Sequence, residues 1–379
     1  MQKQFSFLIS ILSLTLLLFA GCTARPKGEA TLFVAAPMSG FQANGGQTVV
    51  GGVRLKAEQQ NRAGGVAGYS IKVVALDDES DPDVALGITD EVQAALDAGE
   101  DVLGFIGHYN SGETLAAMDV YGSLPLVVIT SNASNVALTE KGYGNFFRIV
   151  ANDRVQADAD ADFLVNQLAV KRIAILHNDT AYGRGLKEEM TRALTGLGAQ
   201  VVLAREVQEG QDRYLNEVEA IRAAQPDALF YAGYEIEAPY LRADLVEAGI
   251  DIPMLASDGA FLAATIDEAG GAAEGLYISA FGPSPASVAD PAWVEAYQAV
   301  EYRNPDTYSI NGYAAAEVLL AAVEKAGSLD ATKIADALRG LNLDTLIGKV
   351  QYNAAGDRVN PPIYIYQVRD SAFVQVWPR

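Results

Sequence analysis

Two polar loops in the first half of the chain have the residue types of an anion-binding site. One covers residues 107–112 (GHYNSG) and the other covers residues 131–135 (SNASN). Each loop follows a short apolar segment typical of a buried strand, and Ser111 and Ser134 each precede a predicted helix. Helix N-termini carry free N–H groups and the positive end of the helix dipole, so two such loops side by side would hold one carboxylate. The same serines would also serve as helix N-caps, and their positions alone do not separate the two roles.

A second group of candidate residues lies further along the chain, again directly after apolar segments. Tyr182 and Tyr234 have the size to cover a small ligand, and Asp258 has the charge to hold an ammonium group. A carboxylate cradle and a separate acceptor carboxylate together match the two charged ends of an amino acid. Tyrosines and aspartates in loops are common, however, and most are simply solvated.

The composition offers little for catalysis or for a metal site. The chain has two histidines, His108 and His177, and a single cysteine, Cys22. The motifs of serine hydrolases, zinc proteases, P-loop proteins and dinucleotide-binding proteins are not found in the sequence. Both histidines follow strand-like segments, so a catalytic role is one interpretation, but the sequence favours a structural one. Carboxylates alone can hold calcium, yet we expect no enzymatic activity, no cofactor and no metal site.

The segments between these loops alternate between apolar strands and amphipathic helices. Such alternation with short links predicts an α/β fold with parallel sheets covered by helices on both faces. The alternation pauses near Asn152 and then restarts, which predicts two doubly wound parallel-sheet lobes. The longer helices from about Asn304 cannot complete the second sheet, so the chain is expected to return to the first lobe near residue 281 and to cross once more near 350. The two lobes would then be joined by a three-strand hinge. The expected ranges are 30–151 plus about 282–350 for the first lobe, and 152–281 plus about 351–379 for the second.

Several individual elements are specific enough to be tested. Hydrophobic periodicity predicts one helix from Asn152 to Ala169 and another from Asp212 to Ala224. Two short strands are expected near the C-terminus, at 362–368 and 372–377.

The N-terminus resembles a bacterial lipoprotein signal. Lys3 gives it a positive start, an apolar run follows at 5–19, and small residues precede Cys22. The run is shorter than the roughly 20 residues of a membrane-spanning helix. The lipoprotein pattern usually has leucine three residues before the cysteine, where this chain has Phe19. We expect a signal peptide at 1–21 and acylation of Cys22; an ordinary secretion signal or a buried N-terminal helix is the alternative.

These features predict an exported protein, periplasmic or on the cell surface, held to a membrane by lipid through a tether at 22–29. With Cys22 acylated, the body would have no disulfide. The formal net charge of −21, from 48 acidic and 27 basic residues, repels phosphate backbones and argues against a nucleic-acid partner. We expect the protein to be a monomer.

Five motifs in the body resemble the periplasmic leucine/isoleucine/valine-binding proteins of ABC transporters. They are Met38-Ser39-Gly40, Gly107-His108, Tyr182-Gly183, Gly233-Tyr234 and the Asn-Ala-Ala-Gly-Asp segment at 353–357. They occur in the same order and at near-identical spacing, and the resemblance extends from about residue 30 to the C-terminus. It implies the type I periplasmic-binding-protein fold and capture of an amino acid for delivery to the permease subunits of an ABC transporter.

The resemblance also implies how the two charged ends of the ligand are bound. Ser111 matches the serine that binds the ligand carboxylate, Asn132 matches a backbone contact, and Ser134 matches a hydroxyl and amide contact. Asp258 stands where the family has a glutamate that receives the ammonium group. Because aspartate is one methylene shorter, the ammonium must shift or a water must intervene.

The remaining matches concern the cover of the site and its side-chain end. Tyr182 and Tyr234 match the tyrosines of the lid. Tyr109 and Asn110 match positions that line the side-chain pocket, and both are more polar than a leucine-selective wall. Gly45 replaces a tyrosine of the family, a change expected to enlarge the mouth of the pocket or to remove a stacking partner.

The sequence leaves two questions of function open. The same fold could report a ligand to a receptor or regulator instead of delivering it to a permease. An aliphatic or small polar L-amino acid is the favoured ligand, and amides, urea-like compounds and aromatic acids are alternatives. Asp258 argues against a plain acid as the ligand. The carboxylate of Asp258 would then face the acid without a cation, which is costly in free energy.

Overall fold

The computed structural model describes residues 27–378 of the chain. The predicted signal peptide and Cys22 lie outside this range. Among the described residues, no helix combines the length and the apolar character that are needed to cross a membrane.

The first lobe is built on a five-stranded sheet in which all neighbouring strands are parallel. Its strands are β1 (Gly28–Ala36), β2 (Tyr69–Asp77), β3 (Val102–Ile106), β4 (Val128–Thr130) and β5 (Phe146–Arg148), in the order β2-β1-β3-β4-β5. The helices between them are α1 (Ala43–Arg62), α2 (Pro82–Asp97), α3 (Ser111–Tyr121) and α4 (Ala137–Glu140). Alternate residues of β1 enter different cores, Leu32 in one and Phe33 in the other, as expected for a sheet covered on both faces.

The second lobe is built on a seven-stranded sheet that is only partly parallel. The next strands in chain order are β6 (Arg172–Asn178), β7 (Gln200–Val207), β8 (Ala228–Ala232), β9 (Met254–Ala256), β10 (Tyr277–Ala280), β11 (Leu343–Thr345), β12 (Gly348–Val350), β13 (Tyr364–Arg369) and β14 (Ala372–Trp377). The sheet has the order β14-β13-β10-β9-β8-β6-β7, and β11 pairs with β12 as a separate hairpin. Strands β13 and β14 are antiparallel to each other, because the two-residue turn at Asp370 and Ser371 is too short for a parallel crossover, and β13 is also antiparallel to β10. These two strands add an antiparallel edge to the otherwise parallel sheet.

The helices after β5 complete the two lobes. They are α5 (Asp153–Asp162), α6 (Ala181–Gly196), α7 (Leu215–Ala224), α8 (Ala238–Glu247), α9 (Ala263–Ala269), α10 (Pro285–Val288), α11 (Pro291–Glu301), α12 (Thr307–Ala326) and α13 (Ala331–Arg339). The helix predicted to run unbroken to Ala169 is α-helical only to Asp162 and continues as a π-helix at Phe163–Gln167. The helix predicted from Asp212 begins at Leu215, and the N–H of its N-cap residue Tyr214 donates to Asp244 Oδ2 at 2.6 Å.

Helix α12 returns to the first lobe and packs along α1. The two helices approach so closely that a Cβ at Gly52 would overlap the carbonyl of Ser309, and a Cβ at Gly312 would overlap that of Val49. Glycine at these two positions therefore permits the contact between the backbones of the two helices.

The chain passes between the two sheets three times, as predicted for the hinge: after β5, after β10 and before β13. The fully buried Arg148, at the end of β5, ties the first and third crossings together. Its Nε and Nη2 donate to Asp357 Oδ1 at 2.9 and 2.7 Å, and its Nη1 donates to the carbonyl of Asn135 at 2.8 Å. The polar loop at 131–135 is thus anchored to the hinge.

Candidate ligand-binding site

A cavity lies where the carboxyl ends of strands from both sheets face each other. Its volume, which includes solvent-filled space at its mouth, is about 290 Å³. It is lined by residues of both lobes: Tyr109, Asn110, Ser111, Asn132, Ala133, Ser134, Tyr182, Tyr234, Asp258, Gly259 and Tyr308. All eight residues predicted to bind the ligand are among them, whereas Ala133, Gly259 and Tyr308 were not predicted.

Ser111 organises the wall that the first lobe contributes. It is the first residue of α3, and its Oγ accepts the N–H groups of Ser134 at 3.3 Å and Asn135 at 3.2 Å. The N-cap positions of α3 and α4 are held by Asn110 and Val136, so neither serine is an N-cap. The N–H of Ser134 is thus already bonded to Ser111.

The buried side chain of Asn132 is unpaired in the part of the chain that the structure describes. The hydroxyl of Thr130 accepts the N–H groups of Asn132 at 3.4 Å and Ala133 at 2.9 Å, which fixes the main chain of the loop. The Oδ1 and Nδ2 atoms of Asn132 make no hydrogen bond to any residue between 27 and 378. The resemblance implied only a backbone contact here; the structure adds an unpaired, buried carboxamide group on a residue that lines the cavity.

Two tyrosines and one carboxylate form the wall of the second lobe. The rings of Tyr182 and Tyr234 stack with centroids 5.3 Å apart and planes 15° apart. The Tyr182 hydroxyl donates to Asp258 Oδ1 at 2.6 Å. A Cβ at position 259 would lie 2.8 Å from the Tyr234 ring, so Gly259 lets that ring approach the loop. The three side chains therefore hold one another in place.

Asp258 provides the negative charge of the cavity. It lies just after β9, and burial raises the pKa of its carboxyl group to about 6, against the opposing effect of the hydrogen bond from Tyr182. Within the described part of the chain, no lysine or arginine forms an ion pair with it. A ligand cation would supply the charge that this buried carboxylate lacks.

Tyr109 fills the space that the family resemblance had suggested would be open. A Cβ at Gly45 would overlap the Tyr109 hydroxyl, so the ring occupies the volume left free by the missing side chain at position 45. Tyr109 also meets Tyr308 edge to face, with centroids 5.5 Å apart. A residue from a different loop thus occupies the space beside Gly45.

Tyr308 is the main residue that the sequence did not reveal. It lies in the first turn of α12 in the first lobe, and its hydroxyl donates to the carbonyl of Asp258 in the second lobe at 2.7 Å. Asp306, which forms a capping box with Ser309 at the start of α12, marks a helix N-terminus. That signal alone could have pointed to this turn as part of a site.

Other hydrogen bonds also join the lobes beside the cavity. Asn135 Nδ2 donates to the carbonyl of Ala181 at 3.0 Å, and Gln42 Nε2 donates to Glu209 Oε1 at 3.2 Å. Together with the bond from Tyr308, they hold the two walls in contact. The arrangement is that of a closed cleft.

The two histidines have structural partners. His108 Nδ1 lies 2.8 Å from Asp78 Oδ2, and its Nε2 lies 3.3 Å from the Tyr121 hydroxyl. His177 Nδ1 lies 3.0 Å from the carbonyl of Asn178. Neither lines the cavity. No group of three or more His, Cys, Asp or Glu within residues 27–378 is arranged to hold a metal ion.

Comparison with known proteins agrees with this geometry. Residues 32–372 match the family model described as "Periplasmic binding protein". A relative from Pseudomonas aeruginosa named "Amino acid binding protein" is 29% identical over 363 residues, which cover 95% of this chain and 96% of the relative. A relative from Brucella abortus named "Leu/Ile/Val-binding protein homolog 2" is 27% identical over 338 residues, 89% of each chain.

A solved structure shows the same architecture. The leucine-binding protein LivK from Thermotoga maritima superposes with a TM-score of 0.84 at 26% identity, covering 92% of this chain and 97% of that one. The match confirms the type I fold and the resemblance to the leucine/isoleucine/valine-binding proteins. The chain therefore belongs to the periplasmic binding protein family, whose members bind substrates for ABC transporters and are not enzymes.

Proposed function

We propose that this protein is an extracytoplasmic solute-binding lipoprotein that captures an amino acid between its lobes and delivers it to an ABC permease. The position of Asp258 carries the proposal. This buried carboxylate without a cation faces, across one cavity, the hydroxyl-bearing loops of Ser111 and Ser134. The names of the relatives, which refer to amino acids and to leucine, isoleucine and valine, agree with such a ligand.

The chemistry of the two walls suits a zwitterion. The ammonium group of the ligand would bind Asp258, and the α-carboxylate would bind the hydroxyl groups of Ser111 and Ser134. Tyr182 and Tyr234 would exclude water between these ends. Because each end binds a different lobe, the ligand favours the closed state by contacts that the open state lacks.

The lobes that close on the ligand are proposed to comprise 30–151 plus about 282–350, and 152–281 plus about 351–379. The distribution of strands between the two sheets supports this division. The packing of α12 against α1 supports the assignment of α12 to the first lobe.

The same proposal includes export and a lipid anchor on Cys22, in the periplasm or on the cell surface, with the binding domain acting as a monomer. Its support is the signal-like sequence that ends at Cys22. Replacement of Cys22 by serine should release the protein from the membrane fraction of expressing cells. Unchanged membrane association of this variant would contradict the anchor.

Calorimetric titration of the purified protein with L-amino acids, amides, urea and aromatic acids tests the ligand. We expect binding of a class of amino acids and at least about tenfold weaker binding by Asp258→Asn, because loss of one partner of a buried charge pair typically costs about 2–5 kcal/mol. Asp267→Asn, an exposed aspartate of the same lobe, is the matched control and should bind like the unmodified protein.

Two results would overturn parts of the proposal. Unchanged affinity of Asp258→Asn would remove Asp258 from the site. Binding of amides or plain acids alone would leave the family intact but exclude the amino-acid ligand.

A further inference from the structure

The cavity is lined by aromatic and polar side chains rather than by large aliphatic ones. Among the described residues that line it, none is leucine, isoleucine, valine, methionine or phenylalanine. Its small apolar members are Ala133 and Gly259, and the rest of its surface is tyrosine, asparagine, serine and Asp258. A branched aliphatic side chain would find few aliphatic partners here.

Asn132 adds a specific demand to this polar lining. Only 7% of its surface is exposed, and neither Oδ1 nor Nδ2 has a hydrogen-bond partner within residues 27–378. A buried carboxamide without partners is rare in folded proteins, because desolvation of its donor and acceptor is not compensated. A ligand that brings both a donor and an acceptor would complete this group, whereas a hydrocarbon would leave it unpaired.

Tyr109 sets a limit on the length of the ligand. Its ring fills the space above Gly45 and packs against Tyr308, which is itself tied to the main chain of Asp258. The ring already occupies the space beside α1 at Gly45, where an added Cβ would overlap its hydroxyl. A long side chain would have to displace this ring.

We propose that the ligand is an L-amino acid with a short hydroxyl or carboxamide side chain, as in threonine, serine or asparagine, and that Asn132 selects it. This inference rests on the function proposed above and narrows it. It separates this protein from the leucine, isoleucine and valine named for its relatives.

Pairs of ligands with nearly the same shape give a sharp test. Threonine and valine differ by a hydroxyl in place of a methyl group, and asparagine and leucine have similar size and branching. We expect calorimetry on the purified protein to give at least about tenfold tighter binding for threonine than for valine, or for asparagine than for leucine. That ratio corresponds to about 1.4 kcal/mol.

The outcomes separate this inference from the broader proposal. Tighter binding of valine and leucine would overturn the polar selectivity while leaving an amino-acid-binding protein. Absence of binding by any amino acid would overturn both.

Asn132→Ala tests the residue itself. This variant should prefer threonine over valine, or asparagine over leucine, by less than about threefold, since the unpaired carboxamide is gone. A preserved ratio, or an equal loss for both ligands, would show that Asn132 does not select the side chain. Asn166→Ala, at an exposed position of the second lobe, is the control and should keep the full ratio.

Discussion

The two walls of the cavity are held in place by different means. The wall of the first lobe is made of loops whose main chain is fixed by buried side chains, Ser111 through two N–H groups and Arg148 through a carbonyl. The wall of the second lobe is made of side chains that contact one another, with Tyr182 joined to both Tyr234 and Asp258.

The first wall therefore determines the position of the loops, and the second wall determines the charge of the cavity. A residue outside the cavity, Arg148, sets the shape of the first wall, so substitutions there should act mainly on stability and on the position of the loop. Substitutions in the second wall should act on the ionisation of Asp258 and leave the fold largely intact. Three substitutions test this contrast, and their expected effects on free energy decrease in the order given.

Arg148→Met should have the largest effect. It leaves Asp357 without its partner and three hydrogen-bond acceptors unfilled, and removal of one member of a buried ion pair typically costs about 3–5 kcal/mol. Urea unfolding followed by circular dichroism measures the loss. Arg154→Met removes a half-exposed arginine that also forms ion pairs, and should cost less than about 1 kcal/mol. Equal losses for the two variants would contradict the anchoring role of Arg148.

Ser111→Ala should lower stability by about 1–3 kcal/mol, because two buried N–H groups lose their acceptor. Amino-acid binding should weaken as well, since the variant lacks a hydroxyl at the carboxylate end. Unfolding and calorimetry on the same sample measure both effects. Ser123→Ala alters an exposed serine bonded to its own helix and should change neither quantity. A stable Ser111→Ala protein with full affinity would show that the first wall does not depend on this side chain.

Tyr182→Phe should have the smallest effect, about 0.5–1.5 kcal/mol, and should act through pH. The ammonium group needs an ionised Asp258, so affinity in the unmodified protein should fall as the pH drops through about 6, the pKa of Asp258. The Tyr182 hydroxyl lowers that pKa, and its removal should shift the loss of affinity to higher pH.

Dissociation constants measured between pH 5 and 8 test this shift. Tyr240→Phe, on α8 and outside the cavity lining, should follow the unmodified profile. A Tyr182→Phe profile that is uniformly weaker, with the same midpoint, would show that the hydroxyl does not act through Asp258.

The lining of the cavity was largely predictable from the sequence. Loops that follow parallel strands meet at the same edge of a sheet, so Ser111 and Ser134 had to lie close together once the strands were identified. The family resemblance then supplied Tyr182, Tyr234 and Asp258. The inference for the two serines needed only the order of elements along the chain and the polarity of loop residues.

The supports of the site were not predictable in this way. Tyr308 joins the cavity because α12 returns to the first lobe, and Tyr109 fills the gap at Gly45 from a separate loop. Arg148 lies in a three-residue strand too short to give a hydrophobic pattern. In each case the contact joins residues distant in sequence, and local periodicity contains no information about such pairs.

The same reasoning explains which details of the elements were not predicted. The tail strands β13 and β14 have the apolar pattern of strands, but their direction depends on a tight turn at Asp370 and Ser371, where both residues have positive φ. The π-helical segment after α5 keeps an apolar sequence close to that of an α-helix, so its different hydrogen bonds leave no mark in the periodicity.

The ion pair between Arg148 and Asp357 also has a consequence for the order of folding. The two residues are 209 positions apart, and the same arginine holds the carbonyl of Asn135. Contacts over such a separation form late, because a long loop must close before the contact contributes any stabilisation. The carboxylate cradle of the first lobe therefore reaches its final form only when the chain near Asp357 has returned from the second lobe, so the binding site is one of the last parts of the molecule to be assembled.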